Sequence, residues 1–235
     1  MTLEEFRHAC ENIGIPLSKE QLNQFDLYAD LLKEWNKKMN LTSIVEKEEV
    51  FEKHFYDCIL PCKTISFHEK EILDIGSGAG FPGMVFAIVY PDAHVTLVDA
   101  TRKKFLFLEE VKNRLGIHNV SFHVGRVEEM KKERESFDIV SSRGFAALRI
   151  LLEVAAPLIK VGGTIIAMKS QRGEEELKEA YGTIVKLKLK EVNLQRASLP
   201  NGDVRLNYLF QKTEKTDGRY PRSWADITKK PLKIK

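Results

Sequence analysis

The sequence predicts an α/β protein: a doubly wound, mostly parallel sheet, preceded by a helical extension and closed by an antiparallel last strand. From residue 72 onward, short β-rich apolar runs alternate with helical runs, the order that gives parallel strands covered on both faces. A glycine-rich turn, Gly76-Ser-Gly78-Ala-Gly80, separates the first of these strands from the first of these helices. Near the end, two β-rich runs follow one another across Pro200-Asn-Gly202 with no helix between them, which is the pattern of a hairpin.

The first seventy residues read as helices. Leu3, Phe6 and Cys10 recur at helical spacing. Ser18 and Gln21 form a capping-box pattern opening a second helix that carries Leu22, Phe25, Leu27, Leu31, Leu32 and Trp35. Asn40-Leu-Thr-Ser43 breaks that pattern, and a third helix is expected from Lys47 to Cys62. The alternating part follows: strand 72–75, helix 82–90, strand 95–98, helix 102–115, strand 120–124, strand 137–140, helix 146–159 and strand 164–168. Lys160-Val-Gly-Gly163 is read as the turn into that last strand. A helix after Gly173 has Glu174, Glu175 and Glu176 in its first turn, where acids suit the helix dipole. The hairpin strands are expected near 188–194 and 204–211. The expected organisation is an extension over 1–70, a main domain over 71–212 and a basic, loosely ordered tail over 213–235.

Apolar residues make up 43% and charged residues 30% of the 235-residue chain, which excludes wholesale disorder and fits one large domain with an extension. The N-terminus has no apolar signal-peptide core, and the longest apolar run, Met84–Tyr90, is too short to span a bilayer. Cys10, Cys58 and Cys62 have no second pair or histidine cluster to complete a metal site, so they read as reduced thiols in a cytoplasmic protein, with no metal. Residues 212–235 hold eight bases against three acids, a balance of +5 in a chain of net charge +3. Together with Tyr220 and Trp224, that suits contact with a phosphate-rich partner or, more plainly, a solvated terminus. No long exposed apolar seam asks for a dimer, and a monomer is expected.

The strongest local signal is Asp74-Ile-Gly76-Ser-Gly78-Ala-Gly80-Phe81-Pro82-Gly83. Glycines there let the chain turn tightly and a ligand touch backbone, and the following helix presents free N–H groups. Asp99 ends the next strand, 23 residues after Gly76, where a carboxylate can accept from ribose hydroxyls. The spacing Gly78-x-Gly80-x-x-Gly83 also fits a dinucleotide site, so a nicotinamide-dependent enzyme stays open. Two features favour S-adenosyl-L-methionine. Asp74 at the strand tip suits an ammonium group better than a pyrophosphate, and the helical prelude with the terminal hairpin resembles the class I methyltransferase fold. Arg126-Val-Glu-Glu129 then falls where Val127 would pack on adenine and Glu128 would meet its amino edge; an ordinary charged helix start is the plainer alternative.

The loop after the fourth strand, Ser141-Ser-Arg-Gly-Phe-Ala-Ala147, contains no histidine or acid to remove a proton. It has neither the Pro-Pro-aromatic sequence associated with adenine amino methylation nor a Pro-Cys pair to attack a pyrimidine. A nucleophile that carries no hydrogen fits this absence, and guanine N7 is one. Catalysis would then be positioning alone, without a general base, with Arg143 beside cofactor or phosphate and Lys169 at the next strand tip as a phosphate contact. A strand-end ion pair for Arg143 and a solvated loop position for Lys169 are the structural alternatives.

Taken in order, Trp35-Asn-Lys-Lys-Met-Asn-Leu-Thr-Ser43, Lys53-His-Phe-Tyr-Asp-Cys58, the glycine loop, Thr96-Leu-Val-Asp-Ala100, Arg126-Val-Glu-Glu129 and Ser142-Arg-Gly-Phe-Ala146 resemble the bacterial small-subunit (16S) ribosomal RNA guanine-N7 methyltransferases, the glucose-inhibited division protein B family. The resemblance covers about residues 1–212. It implies a cofactor site at Gly76, Gly78, Phe81, Val127, Glu128 and Arg143 with Asp99 near the ribose, and a partner that is small-subunit RNA or the ribosomal subunit. Asn36, Asn40 and His54 fall on its motifs without an evident chemistry. Cys58 and Gly144 depart from its usual Ser and Ala. Other methyltransferases, and an RNA-binding module with a vestigial pocket, remain rivals. Stabilisation by S-adenosylhomocysteine and not by NAD separates the methyltransferase class from the nicotinamide enzyme.

Overall fold

The computed structural model describes residues 1–233. Its frame is a seven-stranded sheet in the order β3-β2-β1-β4-β5-β7-β6. The strands are β1 (Glu71–Ile75), β2 (His94–Asp99), β3 (Val120–Val124), β4 (Phe137–Arg143), β5 (Ile159–Lys169), β6 (Leu189–Ser198) and β7 (Val204–Lys212). Strands β1 to β5 pair in parallel, and β7 enters antiparallel between β5 and β6. Ile72, Leu73 and Ile75 of β1 are fully buried, the mark of a central strand covered on both faces.

One face carries α1 (Leu3–Asn12), α2 (Lys19–Met39), the helical segment from Lys47 to Lys63, α5 (Gly83–Val89) and α6 (Arg102–Arg114). The other carries α7 (Leu148–Ala155), α8 (Gly173–Lys186) and α9 (Trp224–Lys229). Both expected features of the α2 start are present: Ser18 Oγ accepts from Gln21 N at 3.2 Å and Gln21 Oε1 accepts from Ser18 N at 2.8 Å. The Gln21 amide also donates to the carbonyls of Ile88 and Val89 at the end of α5, and Gln24 donates to Leu115 beyond α6. These bonds satisfy helix-end carbonyls that have no partner of their own. Phe6, Phe25, Phe51, Phe55, Tyr28, Phe81 and Phe107 form one aromatic cluster, so the N-terminal helices share their core with this face of the sheet.

Three expectations are revised. The helix read over Lys47–Cys62 is not uniform: α3 (Lys47–Val50) widens into a π-helical stretch, Phe51–Tyr56, before α4 (Asp57–Ile59) and a 3₁₀ turn (Leu60–Lys63). The widened turn keeps Phe51 and Phe55 in the aromatic cluster while His54 and Asp57 face the strand tips. Strand β5 starts at Ile159, and the residues read as a turn form a bulge inside it. Phe137 pairs with Ile159 while Ile139 pairs with Thr164, and Gly162 (φ 84°) absorbs the extra residues. The tail is not loose. Its residues up to 233 are tied to the β4–α7 side of the sheet; Lys235, counted in its charge, lies outside the described residues.

Candidate cofactor cleft and basic rim

The carboxyl ends of the parallel strands form a rim, and the strand order reverses between β1 and β4, the position where doubly wound sheets take ligands. Two clefts open there, one on each side of Gly144 and Phe145.

The first cleft, about 270 Å³, is lined by Gly76, Val98, Asp99, Lys104, Val127 and Glu128, together with Phe145 and Trp224. Gly76, Gly78 and Gly80 have φ of 72°, 57° and 94°, left-handed values that side-chain-bearing residues avoid. A β-carbon on Gly76 would lie 2.7 Å from the Phe145 ring. Tyr28 supports the turn from behind: its hydroxyl donates to the Ala79 carbonyl at 2.5 Å and its ring stacks on Phe81. Asp99 accepts from Gly78 N at 3.1 Å, Thr101 N at 2.8 Å and Lys104 Nζ at 2.8 Å. Burial opposes its charge, but Lys104 and Thr101 outweigh that and hold the carboxyl below its ordinary value. Val127 is buried in a 3₁₀ turn, and Glu128 pairs with Arg126 at 3.2 Å. Apolar walls with a carboxylate at each end suit a purine nucleoside.

The structure thus brings Gly76, Asp99, Val127 and Glu128 into one cleft, with Gly78 tied to it through Asp99. Phe81 and Arg143 stand elsewhere. Phe81 is buried behind the loop between Tyr28 and His54, and the Arg143 guanidinium lies over its ring at 5.1 Å. Asp74 is not free to meet an ammonium group. It has no exposed surface, and its Oδ2 accepts from Gly83 N at 3.0 Å. Burial pushes its carboxyl up to about 7, with the Gly83 bond pulling the other way.

The second cleft, about 500 Å³, gathers Lys53, Arg143, Lys169 and Arg205 with Asp57, Glu176 and Asp203. Arg143 donates to the Lys53 carbonyl at 3.0 Å and to Asp57 at 3.2 Å, and meets His54 Nδ1 at 3.0 Å. Burial and this guanidinium push His54 down to about 3, so the ring is neutral and its Nδ1 accepts from Arg143. Its Nε2 then donates to Thr42 Oγ1 at 3.0 Å. Asn36 Oδ1 accepts from the amides of Leu41 and Thr42, and Asn40 adopts the left-handed conformation (φ 33°) that ends α2. Asn36, through Thr42, and His54 therefore form a chain of supports that aims Arg143, with Asn40 making the turn that ends α2. Lys169 donates to the Ala146 carbonyl at 2.6 Å and pairs with Glu176 at 2.8 Å, so it is held in place against the loop.

Asp57, Lys104, Phe145, Arg205 and Trp224 enter the two clefts without having been singled out for them by sequence. Lys104, one turn into the helix after Asp99, was the most legible; Arg205 sits on a distant strand that no local pattern connects to Asp57, 3.0 Å away. Among the described residues no group of three or more His, Cys, Asp or Glu side chains could hold a metal ion. The thiols of Cys10, Cys58 and Cys62 are free and buried.

Residues 21–204 match the sequence model of the family described as rRNA small subunit methyltransferase G. The chain is 40% identical over 237 residues to the ribosomal RNA small subunit methyltransferase G of Streptococcus pyogenes serotype M2, covering 99% of this chain and 100% of the relative. Among solved structures it resembles the YcgJ protein from Bacillus (TM-score 0.56, 17% identity, 68% of this chain and 100% of that one). It also resembles M. jannaschii TYW2 in complex with AdoMet (TM-score 0.51, 17% identity, 63% and 71%). At that identity the structural likeness speaks for the fold, the class I methyltransferase sheet with its antiparallel penultimate strand. The extent of the sequence match does more: this chain belongs to the rRNA small subunit methyltransferase G family.

Proposed function

We propose that this protein transfers the methyl group of S-adenosylmethionine to N7 of one guanine in small-subunit ribosomal RNA. The observation that carries this reading is the pairing of the clefts: a nucleoside-shaped one at the glycine loop and a basic one beside it, sharing Gly144 and Phe145 as their common wall. Family membership supplies the reaction class and the RNA.

The residues present fit the cofactor. Gly78 leaves backbone open to it, Asp99 lines the cleft as the carboxylate for ribose hydroxyls, and Val98 and Val127 flank the space for adenine with Glu128 beside them. When bound, S-adenosylmethionine supplies an electrophilic methyl group on a sulfonium. The protein's part is to hold the two reactants in line and keep water out. Lys53, Arg143, Lys169 and Arg205 favour the phosphates that flank a target nucleotide. Each acid of the basic cleft is paired with a cation, Asp203 with Arg205 at 3.5 Å. The His54 Nδ1 lone pair is taken by Arg143, Asp57 pairs with Arg143 and Arg205, and Glu176 pairs with Lys169 and accepts from Leu148 N. This supports a nucleophile that needs no deprotonation, as N7 of guanine does not. The protein acts as a monomer in the cytoplasm: its exposed large apolar side chains, such as Leu106, Val161 and Tyr181, are scattered. No described helix is long and apolar enough to cross a membrane.

Methyl-labelled S-adenosylmethionine, incubated with the protein and small-subunit RNA or subunits lacking the modification, tests the reading. The label is expected in 7-methylguanosine after digestion to nucleosides. Label in a methylated adenosine or cytidine would replace the reading with another methyltransferase, and unlabelled RNA from both substrates would contradict it.

A further inference from the structure

The basic C-terminal segment is bolted to the domain. Lys212 Nζ, fully buried, donates to the carbonyls of Ala156 and Ile159 and pairs with Glu135. The Arg134 guanidinium donates to the carbonyls of Thr216 (3.0 Å) and Tyr220 (2.6 Å). Arg222 makes a two-pronged bond to the buried Glu153, 2.7 Å on each side, and Arg149 donates to Ile227 and Thr228. The side chains of Tyr220 and Ile227 complete the core on this face. Such anchoring is far more than a solvated arm needs, and it brackets one residue on both sides. Ser223 caps α9, and Trp224, the first residue of that helix, lines the glycine-loop cleft.

There the indole meets Phe145 edge to face, with ring centroids 6.1 Å apart. Phe145 lines both clefts and lies against Gly76. Gly144, just before it, has φ 69° and open space around it, so the backbone itself does little to fix the ring. Phe145 rests on the buried core of this face, and Trp224 is the aromatic side chain set against its ring. Resting on the S-adenosylmethionine reading above, we propose that Trp224 is a cofactor-binding and positioning residue: its indole forms the outer wall of the nucleoside cleft and holds Phe145 as the partition between cofactor and target nucleotide. The strap of residues 212–230 exists to deliver it, and the tail's role in RNA contact is secondary.

The chain has two tryptophans, Trp35 and Trp224, which makes the test direct. S-adenosylhomocysteine is titrated into the full chain, with heat and intrinsic fluorescence read together. Binding is expected to change the fluorescence in wild type and in Trp35→Phe, and to leave it unchanged in Trp224→Phe, which still binds within about twofold because a ring remains against Phe145. Trp224→Ala is expected to remain folded and to bind about tenfold more weakly, the loss appropriate to one aromatic face. Trp224→Ala binding as tightly as wild type, or a fluorescence change that survives in Trp224→Phe, overturns the role of Trp224 while leaving the cofactor site standing. Should Trp224→Ala fail to fold, the two phenylalanine variants alone decide. A wild type that binds no S-adenosylhomocysteine overturns the cofactor reading and this proposal together.

Discussion

Two buried titrating groups sit on either side of the glycine loop, and their effects on stability oppose each other. Asp74 is raised to about 7 when folded, so between pH 4 and 7 the folded state holds a proton that the unfolded state has lost, and stability falls as pH rises through that window. His54 is lowered to about 3, so between pH 3 and 6.5 the unfolded state holds the extra proton, and stability rises with pH. In the overlap the two contributions offset, each worth about 1.4 kcal/mol per pH unit at most. Relative to wild type, Asp74→Asn is therefore expected to gain stability progressively from pH 4 to 7 in urea titrations, and His54→Gln to gain it as pH falls from 6.5 to 4. Variants that track wild type at every pH would show that neither group is perturbed. Also at this scale, Gly78→Val forces a branched side chain into φ 57° beside the cleft, and loss of S-adenosylhomocysteine binding by equilibrium dialysis is the expected result. Retained affinity would move the site away from the loop.

Helix α2 shows how an element distant in sequence shapes the site. Tyr28 places a fully buried hydroxyl on the Ala79 carbonyl, so Tyr28→Phe leaves that acceptor unpaired. A cost of about 1–2 kcal/mol in chemical denaturation is expected, together with weaker cofactor binding. An unchanged midpoint and affinity would separate α2 from the loop. The strand and helix succession, the hairpin and the α2 capping box were legible because each is written in local spacing. The π-helical stretch was not: Val50, Phe51, Phe55 and Ile59 fit an α-helical stripe equally well, and the widening answers to packing against Phe6, Phe25 and Arg143, which no local window contains. Gly76, Asp99, Val127 and Glu128, each expected from a fixed offset to a strand end, line one cleft. Phe81 and Arg143 share the same motifs, yet their side chains turn to the far side of the loop, a direction that spacing does not encode.

At the scale of the molecule, the C-terminal segment changes meaning. Its surplus charge suggested a loosely ordered arm, but Lys212 and Arg222 are committed to Glu135 and Glu153 and, for Lys212, the backbone carbonyls of Ala156 and Ile159. The acids and arginines that bind the strap, Arg134, Arg149 and Glu153, lie far away in sequence, which is why composition misled. Arg222→Ala would strand the buried Glu153 carboxylate, at an expected cost of about 3 kcal/mol in thermal or urea unfolding. A loss below about 0.5 kcal/mol, the level of an ordinary surface substitution, would return the segment to a loosely held terminus. The charges that remain exposed, Lys215, Lys229 and Lys233 among them, are still available to RNA.

One cleft gathers Gly76 of the glycine turn, Asp99, the Val127–Glu128 turn, Phe145 and Trp224. A crystal structure of the full chain soaked with S-adenosylhomocysteine tests this most directly. The nucleoside is expected in that cleft, with its ribose hydroxyls on Asp99 and its adenine against Val127. A ligand bound elsewhere, or a cleft still filled by Phe145 and Trp224 at saturating ligand, would contradict it.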